Sequence, residues 1–377
     1  MKKLLLFALL VPMLFSFCKT SQNSNTLKNQ PIIFVGTYTQ KLPHVKGNAT
    51  GIYTCRFNTE TGVLTVVDSA TDIINPSFLT LSPDKKYVYS VGEVAGSGNE
   101  RLGKVVSYKN NAEGKLLKIN ELSSYGNAPC HISTDKTGKF VFVANYLTGN
   151  VLSYGVKSDG GLTDSISMMQ HKAVSPWAHN IQPSMDNKNV FAVDKGADKI
   201  YLYSLDEKGK LMLKSDISTA AGAGPRHLDF NPKNPFQFVV INENSSAMGS
   251  YAYDANTLKI KLLDSLSTLP TDFTNNSSCA DVHFHPNGKF VYGSNRGHNS
   301  IVIYRFDGET GKLTFIGHES TQGEIPRNFM ITPDGKWLLA ANQNSDSVVA
   351  FKIEGETGKL TMVKKNSVMT PVCLKML

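Results

Sequence analysis

The sequence predicts an all-β chain folded as a seven-bladed β-propeller, and three observations carry that expectation. A phrase of short strands and turns recurs along the chain, its strands are apolar or alternating runs, and no long helical periodicity interrupts them. SPDKK-like turns place Pro83, Thr134, Pro183, Pro232, Pro286 and Pro333 at equivalent points, 47 to 54 residues apart. Repeats of that length made only of short strands fit a propeller; a sandwich does not repeat in such units, and a (β/α)₈ barrel needs helices. One domain is therefore expected, although 377 residues would also suit two.

In chain order, Met1-Lys2-Lys3 and the apolar LLLFALLVPMLFSF read as a signal peptide ending at Cys18. The run is too short, and Pro12 too central, for a membrane span. Cys18 is the expected lipidation site, although Phe17 stands where a small residue normally precedes such a cysteine. Residues 19–31 are a polar tether and 32–377 the propeller. Export to the periplasm or cell envelope, with lipid-anchor contact with a membrane, is the resulting expectation.

Seven versions of one strand follow: FVGTY at Phe34, YVYSV at Tyr87, FVFVAN at Phe140, NVFAVD at Asn189, FQFVVIN at Phe236, FVYGSN at Phe290 and WLLAAN at Trp337. Each leads to an outer strand, such as VLSYGV at Val151 or IVIYRFD at Ile301. An innermost strand precedes most SPDKK-like turns, for example Cys130-His131-Ile132, His179-Asn180-Ile181 and Arg226-His227-Leu228. None precedes Phe34, but an unmatched one, Pro371-Val372-Cys373-Leu374, ends the chain. Seven blades close if the N- and C-terminal strands share one blade, which also protects edges that would otherwise pair with other molecules.

The formal charge is +8, or +6 without Lys2 and Lys3. The basic residues are scattered, so no nucleic-acid partner is expected, whereas a small anionic or polar ligand fits. Apart from Cys18, the cysteines Cys55, Cys130, Cys279 and Cys373 form neither a CxxC site nor a zinc knuckle; buried thiols or a disulfide are both compatible with them. His283 and His285 lie two apart on one strand, a spacing compatible with a metal, but no third ligand is near. Gly96 and Gly98 lack the following helix that a nucleotide site requires. No cofactor or metal is expected. His44, His171 and His318 fall in connecting or outer regions and are expected to face solvent.

The starts of innermost strands and the ends of the strands that follow should meet at one mouth of the axial channel. In Gly224–Asn244 this places Arg226 and Glu243 at the same edge of one hairpin. His179, Arg226, Glu243 and Arg296 are the candidate catalytic residues. His131, His227, His283, Asn295, Arg327 and Asn328 are candidate substrate-binding residues, although polar channel residues in propellers also serve to pin blades together. Opening a lactone requires a nucleophilic water and a carbonyl oxygen that tolerates negative charge. Glu243 or His179 can accept the proton, while Arg226 and Arg296 hold the oxyanion or an acidic group on the substrate. No GxSxG elbow is present, so direct attack by water is preferred to an acyl-enzyme.

The motifs IFVGTYT at Ile33, NPSFLTLSPDKKYVYSV at Asn75, GPRHLDFNP at Gly224, SNRGHNSI at Ser294 and PRNFMITPDGKWLLAANQNSDSV at Pro326 resemble the seven-bladed lactonases. These are typified by cycloisomerase-type 6-phosphogluconolactonase and are related to carboxy-cis,cis-muconate cyclase. The resemblance runs from about Ile33 to the C-terminus. By motif context, it implies an active-site histidine at His179 in WAHNIQPS, arginines at Arg226 and Arg296, and a glutamate at Glu243. It also implies hydrolysis of a 6-phosphogluconolactone-like sugar lactone, with a cycloisomerase or lyase reaction as the alternative. A non-catalytic propeller that binds carbohydrate or protein also remains open.

Overall fold

A computed structural model describes residues 29–97 and 100–377, so the signal peptide, Cys18 and most of the tether lie outside the described residues. Seven four-stranded antiparallel sheets make up the molecule, with one small hairpin, Lys41–Leu42 with Val45–Lys46, beside them. The only described helix is a single 3₁₀ turn, Gln343–Ser345. The expected closure is present: the C-terminal strand Pro371–Met376 pairs with Ile32–Thr37, which continues to Ile52–Phe57 and Leu64–Ala70 as blade 1.

Each later blade runs outward from the axis in chain order. Blade 5 is Pro225–Phe230, Gln237–Asn242, Ala247–Tyr253 and Ile260–Ser267. The innermost strand of blade 2 is the exception in length, being only Leu79–Leu81. Second strands are mostly apolar because both of their faces meet neighbouring sheets; Gln237–Asn242 and Trp337–Asn342 are buried at every position, their polar ends included. Fourth strands alternate, as in Leu162–Gln170, because only one face is covered.

The hydrophobic core is accordingly divided among the seams between blades. Where blade 7 meets blade 1, buried Trp337 packs edge-on against Phe57 at 5.3 Å. Gly62 sits over the same indole at φ +73°, and a side chain there would be both conformationally strained and within 3.0 Å of the ring. The four described cysteines are all buried and free, so no disulfide contributes among the described residues.

The feature that positions the site is a recurring β-bulge. The pairing of the innermost with the second strand shifts register between Pro129 and His131, Ala178 and Asn180, Pro225 and His227, and Pro326 and Asn328. The skipped residues are Cys130, His179, Arg226 and Arg327. A bulge leaves its extra residue without a ladder partner and turns its side chain in a new direction. Three of the four strands start on a proline, which has no N–H for the ladder, and the fourth on Ala178; in each the next residue lines the mouth.

Candidate active site

Two sets of residues converge at that mouth. The bulged residues Cys130, His179, Arg226 and Arg327 form one set. The other consists of residues at the ends of second strands, Glu93, Tyr146 and Glu243 directly after them and Arg296 as the last residue of Phe290–Arg296. With His44, Ala128 and Leu147 they line a cavity of about 370 Å³. A wider vestibule of about 560 Å³ shares Arg296, Arg327 and His44 with it and adds Asn244, Asn276, Ser277, Ser278 and Gln343 among its walls.

Glu243 is the electrostatic centre. Its Oε2 lies 2.9 Å from Arg226 Nε and 3.0 Å from Arg296 Nη2, while Lys195 Nζ donates to Oε1 at 2.6 Å. Burial opposes the carboxylate's charge, but Arg296, Arg226 and Lys195 outweigh it and hold Glu243 well below the usual carboxylate range. A carboxylate so stabilised is a poor proton acceptor. Burial, then Arg296 and Arg327, lower Arg226 to about 10, which still leaves it charged at neutral pH.

His179 is 4% exposed and its Nδ1 has no hydrogen-bond partner in the protein. Burial, followed by Arg226 and His227, lowers its pKa well below the ordinary imidazole value, so the ring is neutral with a lone pair available. Tyr146 meets it edge-on at 5.4 Å and itself stacks on Trp177, with Lys195 Nζ 5.6 Å from the Trp177 ring centre. Arg327 lies 5.4 Å from the ring centre of buried Tyr38. The Cys130 thiol is pushed up by burial and is no nucleophile.

The structure thus brings His179, Arg226, Glu243, Arg296 and Arg327 into one cavity, but not the remaining candidates. His131, Asn180, His227, Asp281 and Asn328 lie one step further along their innermost strands and bond to neighbours on adjacent blades, with the His131 and His227 rings meeting edge-on at 5.5 Å. Asn180 and His131 are 2.9 Å apart, His227 Nδ1 and Asp281 Oδ1 are 2.7 Å apart, and Asn328 Nδ2 donates to Asp281 Oδ2. This layer seals the channel. Below it lies a separate cavity of about 380 Å³, lined in part by Phe78, His131, Asp229, His283 and Lys375.

Expectations for individual residues change accordingly. His131, His227 and Asn328 belong to the seal, and His131 with His283 also lines the cavity at the opposite mouth. Asn295 is fully buried, with Nδ2 donating to Thr268 O at 2.8 Å and Oδ1 accepting from Cys279 Sγ, so it ties a blade together rather than facing a ligand. His283 and His285 do not share a target: His283 meets Asp281, whereas His285 meets the Gly335 carbonyl. Among the described residues, no group of three or more His, Cys, Asp or Glu is arranged to hold a metal ion.

Two histidines expected to face solvent do not simply do so. His171 is buried, with Nδ1 2.7 Å from Asp194 and Nε2 2.9 Å from the Tyr203 hydroxyl. His318 is half-buried and its Nε2 meets the Thr268 carbonyl. His44 is exposed, but it belongs to the site's rim.

Lys195 and Tyr146 were missed by sequence reasoning, yet a signal was present. The residue that ends or directly follows each second strand is Tyr38, Glu93, Tyr146, Lys195, Glu243, Arg296 or Gln343, one per blade. Exact alignment of the blades would have placed Lys195 beside Glu243 at the mouth.

The family described as Lactonase, 7-bladed beta-propeller, matches residues 32–376. A 6-phosphogluconolactonase of Bacillus subtilis (strain 168) is 33% identical over 305 residues, covering 79% of this chain and 84% of the relative. A 6-phosphogluconolactonase of Formosa agariphila is 36% identical over 314 residues, covering 79% and 86%. Among solved structures, the periplasmic gluconolactonase of Pseudomonas aeruginosa superimposes with a TM-score of 0.85 at 28% identity, covering 92% of this chain and 99% of that one. Given the match over nearly all the described residues and the blade closure it requires, this chain belongs to the seven-bladed β-propeller lactonase family.

Proposed function

We propose that the protein hydrolyses a sugar-acid lactone of the gluconolactone type at the mouth lined by His179, Arg226, Glu243 and Arg296. The observation that carries this reading is the convergence, in one recessed cavity, of an imidazole with an unpartnered nitrogen and the cations Arg226, Arg296 and Arg327. Water attacks the lactone carbonyl carbon as His179 takes its proton. Arg226 and a neighbouring arginine stabilise the oxyanion. Collapse of the tetrahedral species breaks the ring C–O bond, the ring oxygen recovers the proton, and a hydroxy acid leaves as its carboxylate.

Glu243 is assigned to hold Arg226 and Arg296 in place rather than to activate water, because its basicity is spent on three cations. Arg226, Arg296, Arg327 and Lys195 outnumber Glu243 and Glu93, which favours a substrate carrying an acidic group; a phosphate on the exocyclic carbon would reach the vestibule beside Arg296 and Arg327. The two curated 6-phosphogluconolactonases above support that class, and the periplasmic neighbour supports an exported setting. Anchoring through a lipid on Cys18 is part of the same proposal.

Initial rates of acid release from glucono-, galactono- and 6-phosphoglucono-lactones, with Arg226→Ala as the control, test the reaction. Turnover lost in the variant supports it. A folded protein that opens none of these rings would favour a cycloisomerase or a binding propeller instead. Loss of membrane association in Cys18→Ala tests the anchor.

A further inference from the structure

Asp281 occupies the axis without touching the cavity. It is 2% exposed and ties together three blades. Its Oδ1 accepts from His227 Nδ1 at 2.7 Å, while Oδ2 accepts from Asn328 Nδ2 and from the Phe329 N–H at 3.3 Å, and lies 3.1 Å from His283 Nε2. Asn328 in turn accepts the N–H of Leu374 at 2.8 Å, linking this centre to the strand that closes the ring.

Because an ionised carboxylate only accepts hydrogen bonds, His227 must carry its proton on Nδ1. Its Nε2 is then a bare lone pair, and it lies 3.3 Å from Arg226 Nη1. The Arg226 guanidinium is consequently gripped on three sides. Nε is buried and forms an ion pair with Glu243 at 2.9 Å without a hydrogen bond, and the two Nη1 N–H groups are taken by the Ala280 carbonyl and His227 Nε2. Of the five donors on an arginine, only the two on Nη2 remain for a ligand.

We infer that Asp281 and His227 are positioning residues for Arg226, fixing the histidine tautomer so that one edge of the guanidinium is presented to the substrate. This rests on the lactonase reading. Without the Asp281 acceptor, His227 can turn an N–H toward Arg226, and two donors then oppose each other.

Asparagine and glutamine at position 227 separate this role from mere packing. His227→Asn keeps a donor for Asp281 but offers nothing to Arg226, whereas His227→Gln places a carbonyl near the position of Nε2. Expected for His227→Asn and for Asp281→Asn is a fall in kcat of about 10- to 100-fold, the usual scale for residues that orient a functional group, with KM changing little. His227→Gln should lose distinctly less. Equal losses in the two His227 variants, or no loss in His227→Asn, would overturn the assignment.

Gluconate binding measured by calorimetry provides a readout independent of turnover, and should weaken more in His227→Asn than in His227→Gln. A wild-type protein that binds gluconate in this pattern but opens no lactone would refute the lactonase reading and leave the positioning intact. If it neither binds nor turns over, both fail. Melting curves of all three variants show that losses are read on folded protein.

Discussion

Lys195 Nζ and Glu243 Oε1 lie 2.6 Å apart although they come from different blades, and their contact completes the set of three cations around one carboxylate. Each lies 13% exposed, so neither charge is screened as a surface ion would be. Replacing Lys195 with Met should therefore lower kcat/KM by about tenfold or more, because a charge-assisted hydrogen bond contributes about 1.5–3 kcal/mol. Steady-state kinetics on a single lactone would check this; unchanged kinetics would remove Lys195 from the site.

Substituting Glu243 with Gln leaves Arg226 and Arg296 without their counter-charge. Stability should fall by about 3–5 kcal/mol, the cost of orphaning buried charges, and activity should be lost with it. Urea unfolding at neutral pH measures the first effect.

The same carboxylate makes the fold acid-sensitive. Its pKa is lower folded than unfolded, so its contribution is fully present above the ordinary glutamate value of about 4.3 and is lost as pH falls below it. Wild-type stability should decline through that acid range, and Glu243→Gln should show a shallower decline. Parallel slopes would mean that the three cations do not depress Glu243.

For His179 the expected pH dependence has the opposite origin. Its lowered pKa keeps the ring neutral, and thus able to accept a proton, well below the usual limit near 6.5. Accordingly kcat/KM should hold its plateau as pH drops past that value and fall only further into acid. His179→Gln should lose about 10²- to 10⁴-fold, the range for a general base. An acid limb at the ordinary imidazole value would show that another histidine governs the rate.

Ring closure rests on the last strand, where Val372, Cys373 and Leu374 are all buried. Deleting residues 368–377 removes several apolar side chains worth about 1.5–3 kcal/mol each, against a total stability of about 5–15 kcal/mol. Thermal melting should show a greatly destabilised chain; an unchanged midpoint would mean that the ring tolerates an open blade.

How much of this was legible depends on the kind of information each residue carries. Blade number and closure follow from periodicity, so Pro371–Met376 could be paired with Ile32–Thr37 before any coordinates. The Arg226–Glu243 contact was legible too, because both lie on one hairpin and hairpin pairing is local. The seal was not. His131, His227 and Asn328 differ from the cavity residues only by one strand position, and the bulge that separates them is a backbone event with no distinctive residue beyond the preceding proline. His171 was misjudged for a related reason: a connecting segment looks exposed until Asp194, from the next blade, is seen to hold it.

The run of the first propeller strand carries a final consequence. Ile32–Thr37 ends at Tyr38 beside Arg327, so Ile32 lies at the far end, where its carbonyl accepts the N–H of Leu377 at 2.9 Å. The chain thus enters the ring on the face opposite the cavity. A molecule tied to a bilayer by its first residues would hang with its binding mouth pointing outward. On the proposed reaction and anchor, substrate would arrive and product depart on that outward side, clear of the membrane.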